Sequence, residues 1–243
     1  MGRYPLSERR KAVPRSATAP AQDPEAWSRT SVVLPAYQER SRLPLVLTAL
    51  RALPFARLVV VDDGSTDGTW RAAIPLLRPG DVALRLADNQ GKAVALWHGL
   101  RYVETPWVVF LDADLDGVTR EHVEALCRPV WSARCHMSVA VLAEVHPWLR
   151  AFRYWGGVLS GQRCLPTALA RRALARLRDW GYGLEIGLTR WARRAGWSVH
   201  YVLWPGVSHR SKFLKHGPVR GLLIYLWSFY QFAWASWRDF EER

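Results

Sequence analysis

Short apolar runs alternate with longer amphipathic segments over the first half of the chain, and this alternation constrains the fold more than any other feature. The runs occupy residues 31–36, 57–62, 82–87 and 107–112, and the segments between them are 43–53, 66–77 and 92–103. Because the runs are apolar on both faces, we expect strands that are covered by helices on both sides, as in a parallel sheet. Right-handed crossovers then predict an α/β fold with a mainly parallel sheet flanked by helices.

The second half of the chain is less regular but continues the same domain. The apolar run 137–142 is expected to extend the sheet, helices are expected at 167–176 and 184–195, and a strand at 198–203. No linker rich in Pro or Ser separates the two halves. We therefore predict one domain over residues 30–216 with an extension at each end.

Residues 1–29 are predicted to be a flexible basic tail. Their basic residues include Arg3, Arg9, Arg10, Lys11 and Arg15, which lie among Pro, Ala and Ser. No apolar stretch follows these charges, so the tail does not have the pattern of a signal peptide. The positive charge of the tail suits either of two roles, keeping the protein soluble or contacting anionic lipid.

Residues 217–243 are predicted to form a C-terminal aromatic helix. The uncharged stretch 221–237 contains seven aromatic residues, Tyr225, Trp227, Phe229, Tyr230, Phe232, Trp234 and Trp237. A helix of this length would be about 26 Å long, shorter than the roughly 30 Å hydrocarbon core of a bilayer. Aromatic side chains flanked by Lys and Arg favour a helix that lies in the membrane interface. Packing on the domain itself or on a second subunit is the alternative.

The charge and the cysteines limit the class of partner and the compartment. The chain has 34 Lys and Arg against 21 Asp and Glu, a net charge of +13, which favours a nucleotide, a phosphate, a nucleic acid or an acidic membrane face as partner. The three cysteines lack the spacing of a zinc ribbon or a disulfide scaffold, which favours a reducing compartment. We therefore expect a cytoplasmic protein, with peripheral attachment to the inner face of the membrane as an option.

Polar residues follow three of the predicted strands, at the edge where parallel sheets bind ligands. They lie in the segments 35–39, 62–68 and 112–116. Asp112 and Asp114 can share a hard divalent cation such as Mg²⁺ or Mn²⁺, although a cluster of turn or capping aspartates is the alternative. An EF-hand is excluded because the twelfth position is Val123 instead of Glu. A phosphatase with a strand-end Asp-x-Asp pair is a weaker alternative.

Two further loops have residues suited to a nucleotide. A carboxylate after the second strand, in Asp62-Asp63, can accept a hydrogen bond from a nucleobase N–H, and an Asp-Gly turn is the alternative. The segment 89–92 (Asn-Gln-Gly-Lys) precedes a helix, where backbone N–H groups and the Lys92 ammonium suit a phosphate. A plain surface loop is the alternative there.

Four segments in this order and spacing carry a family resemblance. The segments VVLPAYQER, VVVDDGSTDGT, NQGKAVAL and FLDADLD resemble those of a family 2 glycosyltransferase of the GT-A fold. The likeness is close over residues 31–116 and looser at 159–163, 181–188 and 207–209. It implies a GT-A nucleotide-diphospho-sugar transferase fold over 30–216.

The resemblance also implies roles for the residues that match the family's motifs. The nucleotide-sugar would be bound by Pro35, Tyr37, Glu39, Asp63, Gly91, Lys92 and Asp112. A divalent cation, Mg²⁺ or Mn²⁺, would be held by Asp112, Asp114 and His209, and Asp114 would also act in catalysis.

The segment GYGLEIGL at 181–188 resembles that of glucosyl-phosphoglycerate synthases and polyprenol-phosphate-type transferases. It implies that Glu185 is the base or the acceptor-orienting group, and Arg163 and Lys212 would hold an anionic acceptor or the leaving diphosphate. Many inverting members have Asp after this Glu, whereas here Ile186 follows. The choice between inversion and retention is therefore left open.

The resemblance implies a metal-dependent glycosyltransferase of the hexosyltransferase type. It would move a sugar from a UDP- or GDP-sugar to an acceptor that is left open, with a lipid phosphate and another cell-envelope component as candidates. The alternatives are a nucleotide-binding scaffold and a nucleotidyltransferase, although the loop PAYQER lacks the glycines that the latter usually has. Nucleic acid is not expected as a partner, because three acidic loops would repel its phosphates. The sequence does not determine the oligomeric state.

Overall fold

The computed structural model describes residues 24–142 and 160–209, and these form a seven-stranded sheet with helices on both faces, together with a two-stranded sheet. The strands are β1 Thr30–Ala36, β2 Arg57–Asp62, β3 Val82–Arg85, β4 Trp107–Phe110, β5 Leu115–Asp116, β6 Met137–Leu142, β7 Arg163–Pro166, β8 Val199–Trp204 and β9 Ser208–His209. The α-helices are α1 Pro24–Ser28, α2 Leu43–Arg51, α3 Thr69–Ala73, α4 Lys92–Leu100, α5 Arg120–Trp131, α6 Thr167–Leu177 and α7 Leu184–Arg194. Short 3₁₀ helices cover Ile74–Leu76 and Arg178–Gly183.

The large sheet has the strand order β3-β2-β1-β4-β7-β6-β8, and β7 alone runs antiparallel to the others. Within it, Val33 on β1 lies opposite both Val59 on β2 and Phe110 on β4. The carboxyl ends of these three strands therefore meet at one edge. The prediction of an α/β fold with a mainly parallel sheet is confirmed.

The sheet is buried on both faces, as the apolar runs predicted. On β1, Val32 and Leu34 pack into the layer formed with α2 and α5, whereas Val33 packs into the layer formed with α4, α6 and α7. All three side chains are fully buried. Helices cover both faces because a strand that is apolar on both faces cannot be exposed to water on either side.

The strand β7 explains how the second half of the chain reaches the site. Its first residue, Arg163, lies opposite Phe110, the last residue of β4. The residues just before it, Ser160 to Gln162, are thereby brought beside the loop that follows β4. No strand was predicted here, because four residues with the sequence Arg-Cys-Leu-Pro have neither the length nor the alternation that identifies a strand.

Residues 24–29 correct the predicted extent of the N-terminal tail. Pro24–Ser28 form a short helix whose Trp27 is buried, with its ring edge-on to the rings of Phe55 and Trp131. The Trp131 Nε1–H donates to the Thr30 hydroxyl at 3.0 Å, which ties this cluster to the start of β1. The domain therefore begins before residue 30, and the rest of the predicted tail lies outside the described residues.

The helix α5 was also not predicted. It buries Val123, Leu126 and Val130 against the sheet, although Pro129 lies inside it. Over residues 24–142 and 160–209, no helix is long and apolar enough to cross a membrane. The predicted aromatic helix at 217–243 lies outside the described residues.

Gly99 on α4 allows this helix to lie close to the sheet. A Cβ at this position would lie 2.5 Å from Val33 Cγ1 and 3.0 Å from Val61 Cγ2. We expect Gly99→Ala to lower the free energy of unfolding by about 1–2 kcal/mol, because overpacking outweighs the gain in helix propensity. Urea unfolding monitored by circular dichroism measures this change, and a variant more stable than wild type would show that the helix can shift away without cost.

Candidate active site

The loop after β1 is held against the loop after β2 by side-chain hydrogen bonds. The Gln38 backbone N–H donates to the Ser65 hydroxyl at 3.0 Å, and the Gln38 side-chain amide donates to the Thr66 hydroxyl at 2.9 Å. The Glu39 backbone N–H donates to the Thr69 hydroxyl at 2.9 Å. Gln38 has a φ of 56°, in the left-handed region, which turns the loop sharply at the end of β1.

This turn determines how exposed the residues are that we predicted to bind the base and the ribose of a nucleotide. Tyr37 is 46% exposed, Pro35 is half-buried and Glu39 is buried. An exposed aromatic side chain beside a fixed loop can pack on a planar base. Pro35 lies near the end of β1, and Tyr37 and Glu39 follow in the loop after it, so all three lie at the carboxyl edge of the sheet.

Asp63 joins the end of β2 to the loop that precedes α4. Its Oδ1 accepts a hydrogen bond from the Gln90 backbone N–H and its Oδ2 one from the Gly91 backbone N–H, both at 2.8 Å. Burial raises the pKa of Asp63, and the two N–H groups oppose this shift only in part. Since each carboxylate oxygen has a second lone pair, the side chain can still accept from a nucleobase.

The centre of the site is an ion-pair triad formed by Lys92, Asp112 and Glu185. The Lys92 Nζ lies 2.5 Å from Asp112 Oδ1 and 2.7 Å from Glu185 Oε1. The three side chains are 28%, 19% and 14% exposed, respectively, so the triad is open to the surface. Burial lowers the pKa of Lys92, but the two carboxylates outweigh it and raise the pKa above its ordinary value. The triad thereby brings Lys92 into contact with Glu185, which lies 93 positions away in the sequence.

The segment before β7 closes over this triad. The Gln162 side-chain amide donates to Asp112 Oδ2 at 2.7 Å, and the Ser160 hydroxyl donates to Gln162 Oε1 at 2.6 Å. A Cβ on Gly161 would collide with Lys92 Nζ and lie 2.7 Å from Asp112 Oδ2. A side chain at this position would therefore have to displace the paired groups of Lys92 and Asp112. Ser160 and Gln162 were not predicted as site residues, because β7 was not predicted.

Arg163 corrects one of the predicted roles. Its side chain is 1% exposed, and its guanidinium donates to the backbone carbonyls of Ser160 at 2.9 Å and Glu185 at 2.8 Å and to the Thr189 hydroxyl at 2.9 Å. Burial lowers the pKa of Arg163 to about 10, although Glu185 partly opposes this shift. The guanidinium is directed into the protein, so the predicted role in binding an anionic acceptor is wrong. It holds the start of α7, and with it Glu185, against β7.

Asp114 and His209 are brought to neighbouring backbone positions by the small sheet. Leu115 on β5 pairs with His209 on β9 in an antiparallel register, so the backbone of His209 lies opposite the residue that follows Asp114. Lys212, the other predicted acceptor residue, lies outside the described residues.

The donor atoms on this loop fit a divalent cation only in part. Carboxylate oxygens are the ligands that Mg²⁺ and Mn²⁺ prefer, but Asp112 is already engaged by Lys92 and Gln162. Within the ranges that the structure describes, no three His, Cys, Asp or Glu side chains form a metal-binding group. Asp112, Asp114 and His209 remain the predicted protein ligands, and oxygens of a diphosphate would have to complete the coordination.

The family comparison matches the segment that carries these loops. Residues 31–130 match the family described as Glycosyl transferase family 2. Two similar proteins are the undecaprenyl-phosphate 4-deoxy-4-formamido-L-arabinose transferases of Salmonella choleraesuis and Salmonella paratyphi B. Each is 30% identical in an alignment 101 residues long, which covers 38% of this chain and 31% of the relative. The match thus spans about a third of the length of these relatives.

Solved structures match over most of the chain. The glucosyl-3-phosphoglycerate synthase of Mycobacterium tuberculosis in complex with Mn²⁺, UDP-glucose and phosphoglyceric acid has a TM-score of 0.65 and 23% identity, and the match covers 88% of this chain and 84% of that one. The complex of the same enzyme with Mg²⁺ and UDP has a TM-score of 0.61 and 23% identity, covering 86% and 83%. This likeness shows the fold, which is GT-A. The match over residues 31–130 shows in addition that the segment carrying the loops of this site is similar to glycosyl transferase family 2.

Proposed function

We propose that the protein is a metal-dependent glycosyltransferase that moves a sugar from a nucleotide-diphosphate donor, a UDP- or GDP-sugar, to an acceptor oxygen. The observation that carries the proposal is the triad of Lys92, Asp112 and Glu185 at the carboxyl edge of the sheet. It joins the loops that resemble a nucleotide-sugar site to the helix that resembles an acceptor site. The solved neighbours in complex with Mn²⁺ and UDP-glucose support the class of donor.

Different loops of the site would bind different parts of the donor. The loop of Pro35, Tyr37 and Glu39 would hold the base and the ribose, and Asp63 would accept a hydrogen bond from the edge of the base. Gly91 lies directly before α4, and the Lys92 ammonium at the start of this helix would lie near the diphosphate. These assignments leave the sugar itself close to Asp112 and Glu185.

The reaction breaks the bond between C1 of the sugar and the diphosphate oxygen, and forms a bond between C1 and the acceptor oxygen. A divalent cation held by Asp114 and His209, with Asp112, would supply positive charge for the leaving diphosphate. Lys92 supplies a further positive charge from the protein, in a site whose dipoles are already oriented. Glu185 takes the proton if the acceptor is a hydroxyl, whereas a phosphate acceptor is already an anion and needs no base.

A lipid phosphate is the acceptor class that we favour. The relatives from Salmonella are named for an undecaprenyl-phosphate acceptor. The charge of +13 and the aromatic segment 217–243 would suit a protein that is bound at the periphery of a membrane. A cytoplasmic protein on the inner face of the membrane would meet both a soluble nucleotide-sugar and such an acceptor.

Thermal unfolding with a panel of nucleotides tests the proposal. We expect one of UDP, GDP, CDP and dTDP to raise the Tm in the presence of Mn²⁺, because a ligand that binds only the folded state stabilises it. At about five times its Kd, the ligand should raise the Tm by about 2–4 °C. The rise should disappear in Asp114→Ala and persist in Asp116→Ala, which removes an exposed carboxylate two residues away.

Two outcomes would contradict the proposal. If no nucleotide stabilises the protein at millimolar concentration with Mn²⁺, the site is not a nucleotide-sugar site. If the stabilisation is equal with and without metal and in Asp114→Ala, the binding is not metal-dependent. A nucleotide that binds while no UDP- or GDP-sugar is turned over would favour a nucleotide-binding scaffold.

A further inference from the structure

A cleft is lined in part by the loop that follows β2. It has a volume of about 490 Å³, which is within the range of small-molecule sites. Its wall includes three arginines, Arg40, Arg71 and Arg85, together with Trp70 and the hydroxyl-bearing residues Ser65 and Thr66. None of the residues assigned above to the donor, the metal or the acceptor lines it.

The charge in this cleft is unbalanced. Over residues 24–142 and 160–209, the guanidinium groups of Arg40 and Arg71 form no hydrogen bond or ion pair, and both side chains are exposed. Arg85 donates to the Ser65 carbonyl at 3.0 Å and has its Nε 3.6 Å from Asp62 Oδ2. The cleft therefore has two uncompensated positive charges and a third that is only loosely paired.

Within the described residues, the single carboxylate in the wall, Asp67, forms no ion pair with these arginines, so three guanidinium groups face one carboxylate. Asp67 Oδ1 accepts from the Thr69 backbone N–H at 2.9 Å and from the Thr69 hydroxyl at 2.5 Å. Asp67 Oδ2 accepts from the Arg40 backbone N–H at 3.1 Å. Both oxygens are thus used to shape the loop, and the guanidinium groups remain available to a ligand.

Gln38 links the loop that carries Tyr37 to two residues in the wall of the cleft. Its two hydrogen bonds to Ser65 and Thr66 join the loops after β1 and β2, with Tyr37 and Asp63 on the donor part of these loops. A molecule in the cleft would contact Arg40 and residues 65–68 of these two loops. Binding there and binding of the donor would therefore be adjacent but distinct.

We propose that this cleft is a binding site for a phosphate group, carried either by a small phosphorylated molecule or by a phospholipid headgroup. Arginine is the side chain best suited to the task, because its planar guanidinium donates two parallel hydrogen bonds to phosphate oxygens. Three arginines around one cleft can contact several oxygens of the same group.

Metal-free protein in EDTA, titrated with inorganic phosphate at constant ionic strength, provides the test. We expect a saturable rise in Tm that NaCl does not produce, because the ligand stabilises the folded state. The rise should be lost in the double variant Arg40→Gln, Arg71→Gln. It should persist in Arg51→Gln, which removes an exposed arginine on α2 outside the cleft, and in Asp114→Ala, which impairs the proposed metal site.

The proposal is overturned if phosphate gives no saturable rise, if the double variant keeps it, or if Arg51→Gln loses it equally. Loss in Asp114→Ala would place the phosphate in the proposed metal–diphosphate site and would also overturn it. Cosedimentation with phosphatidylcholine vesicles, with and without phosphatidic acid, then separates the two sources. Weaker binding of the double variant to the acidic vesicles identifies a lipid headgroup, and unchanged binding identifies a soluble phosphate compound.

Discussion

Glu185→Gln is expected to lower kcat for sugar transfer to a hydroxyl acceptor by about 10²–10⁴-fold, the usual contribution of a general base. Gln has nearly the shape of Glu but cannot take a proton from the acceptor. The Lys92 Nζ, 2.7 Å from Glu185 Oε1, fixes the carboxylate beside the donor loops. Single-turnover kinetics, with donor binding measured separately, would assign the loss to the chemical step.

A control and an alternative outcome sharpen this experiment. Glu104→Gln removes an exposed carboxylate on the loop before β4 and should leave kcat unchanged. Turnover of Glu185→Gln near the wild-type rate would contradict the role as base. It would agree with the lipid phosphate favoured above, an acceptor that arrives as an anion and needs no base.

The position of Glu185 also shows which parts of the site the sequence can predict. Asp63, Lys92 and Asp112 follow strands with a clear apolar pattern, so the edge at which they meet follows from the parallel sheet alone. The contact of Lys92 with Glu185 spans 93 positions and depends on how α7 packs, which no local pattern encodes. Only the family resemblance pointed to Glu185.

Arg163 shows why its prediction failed. An arginine in a basic chain resembles a solvated cation or an anion-binding group, since burial of its charge is costly. Here the cost is offset by Ser160, Glu185 and Thr189, whose oxygens come from two different parts of the fold. Those partners lie together only because β7 runs antiparallel beside β4, and the short sequence of β7 does not reveal this strand.

The same reasoning explains the N-terminal boundary. Residues 1–29 are rich in Arg, Pro and Ala throughout, and a single Trp is all that distinguishes the last six from the rest. Trp27 makes the difference, because it finds the rings of Phe55 and Trp131 beside β1. A single large apolar side chain can thus order a short segment when distant partners offer a matching surface.

Lys92→Met is expected to destabilise the protein by about 2 kcal/mol, between the values typical of exposed and buried ion pairs, because the triad is only partly exposed. The methionine fills similar space but leaves the carboxylates of Asp112 and Glu185 facing each other without a cation. Urea unfolding measures the loss, and Arg51→Met, which removes an exposed cation on α2, should cost far less.

The pH dependence of this loss has a definite sign. The folded state raises the pKa of Lys92 above the unfolded value of about 10.4, so the ammonium contributes its full stability below that pH. The contribution is lost as the pH rises through the folded pKa. The difference in stability between wild type and Lys92→Met should therefore be constant from about pH 7 to 9 and shrink above about pH 10.4.

A double-mutant cycle separates repulsion between the carboxylates from a simple loss of packing. If repulsion is the cause, Glu185→Gln should recover part of the stability in the Lys92→Met background, although it destabilises the wild type by removing one ion pair. Opposite signs for the same substitution would show that Lys92 is what allows two carboxylates to share this edge. If Glu185→Gln costs the same in both backgrounds, the charges are not coupled, and the triad cannot be what joins the donor loops to α7.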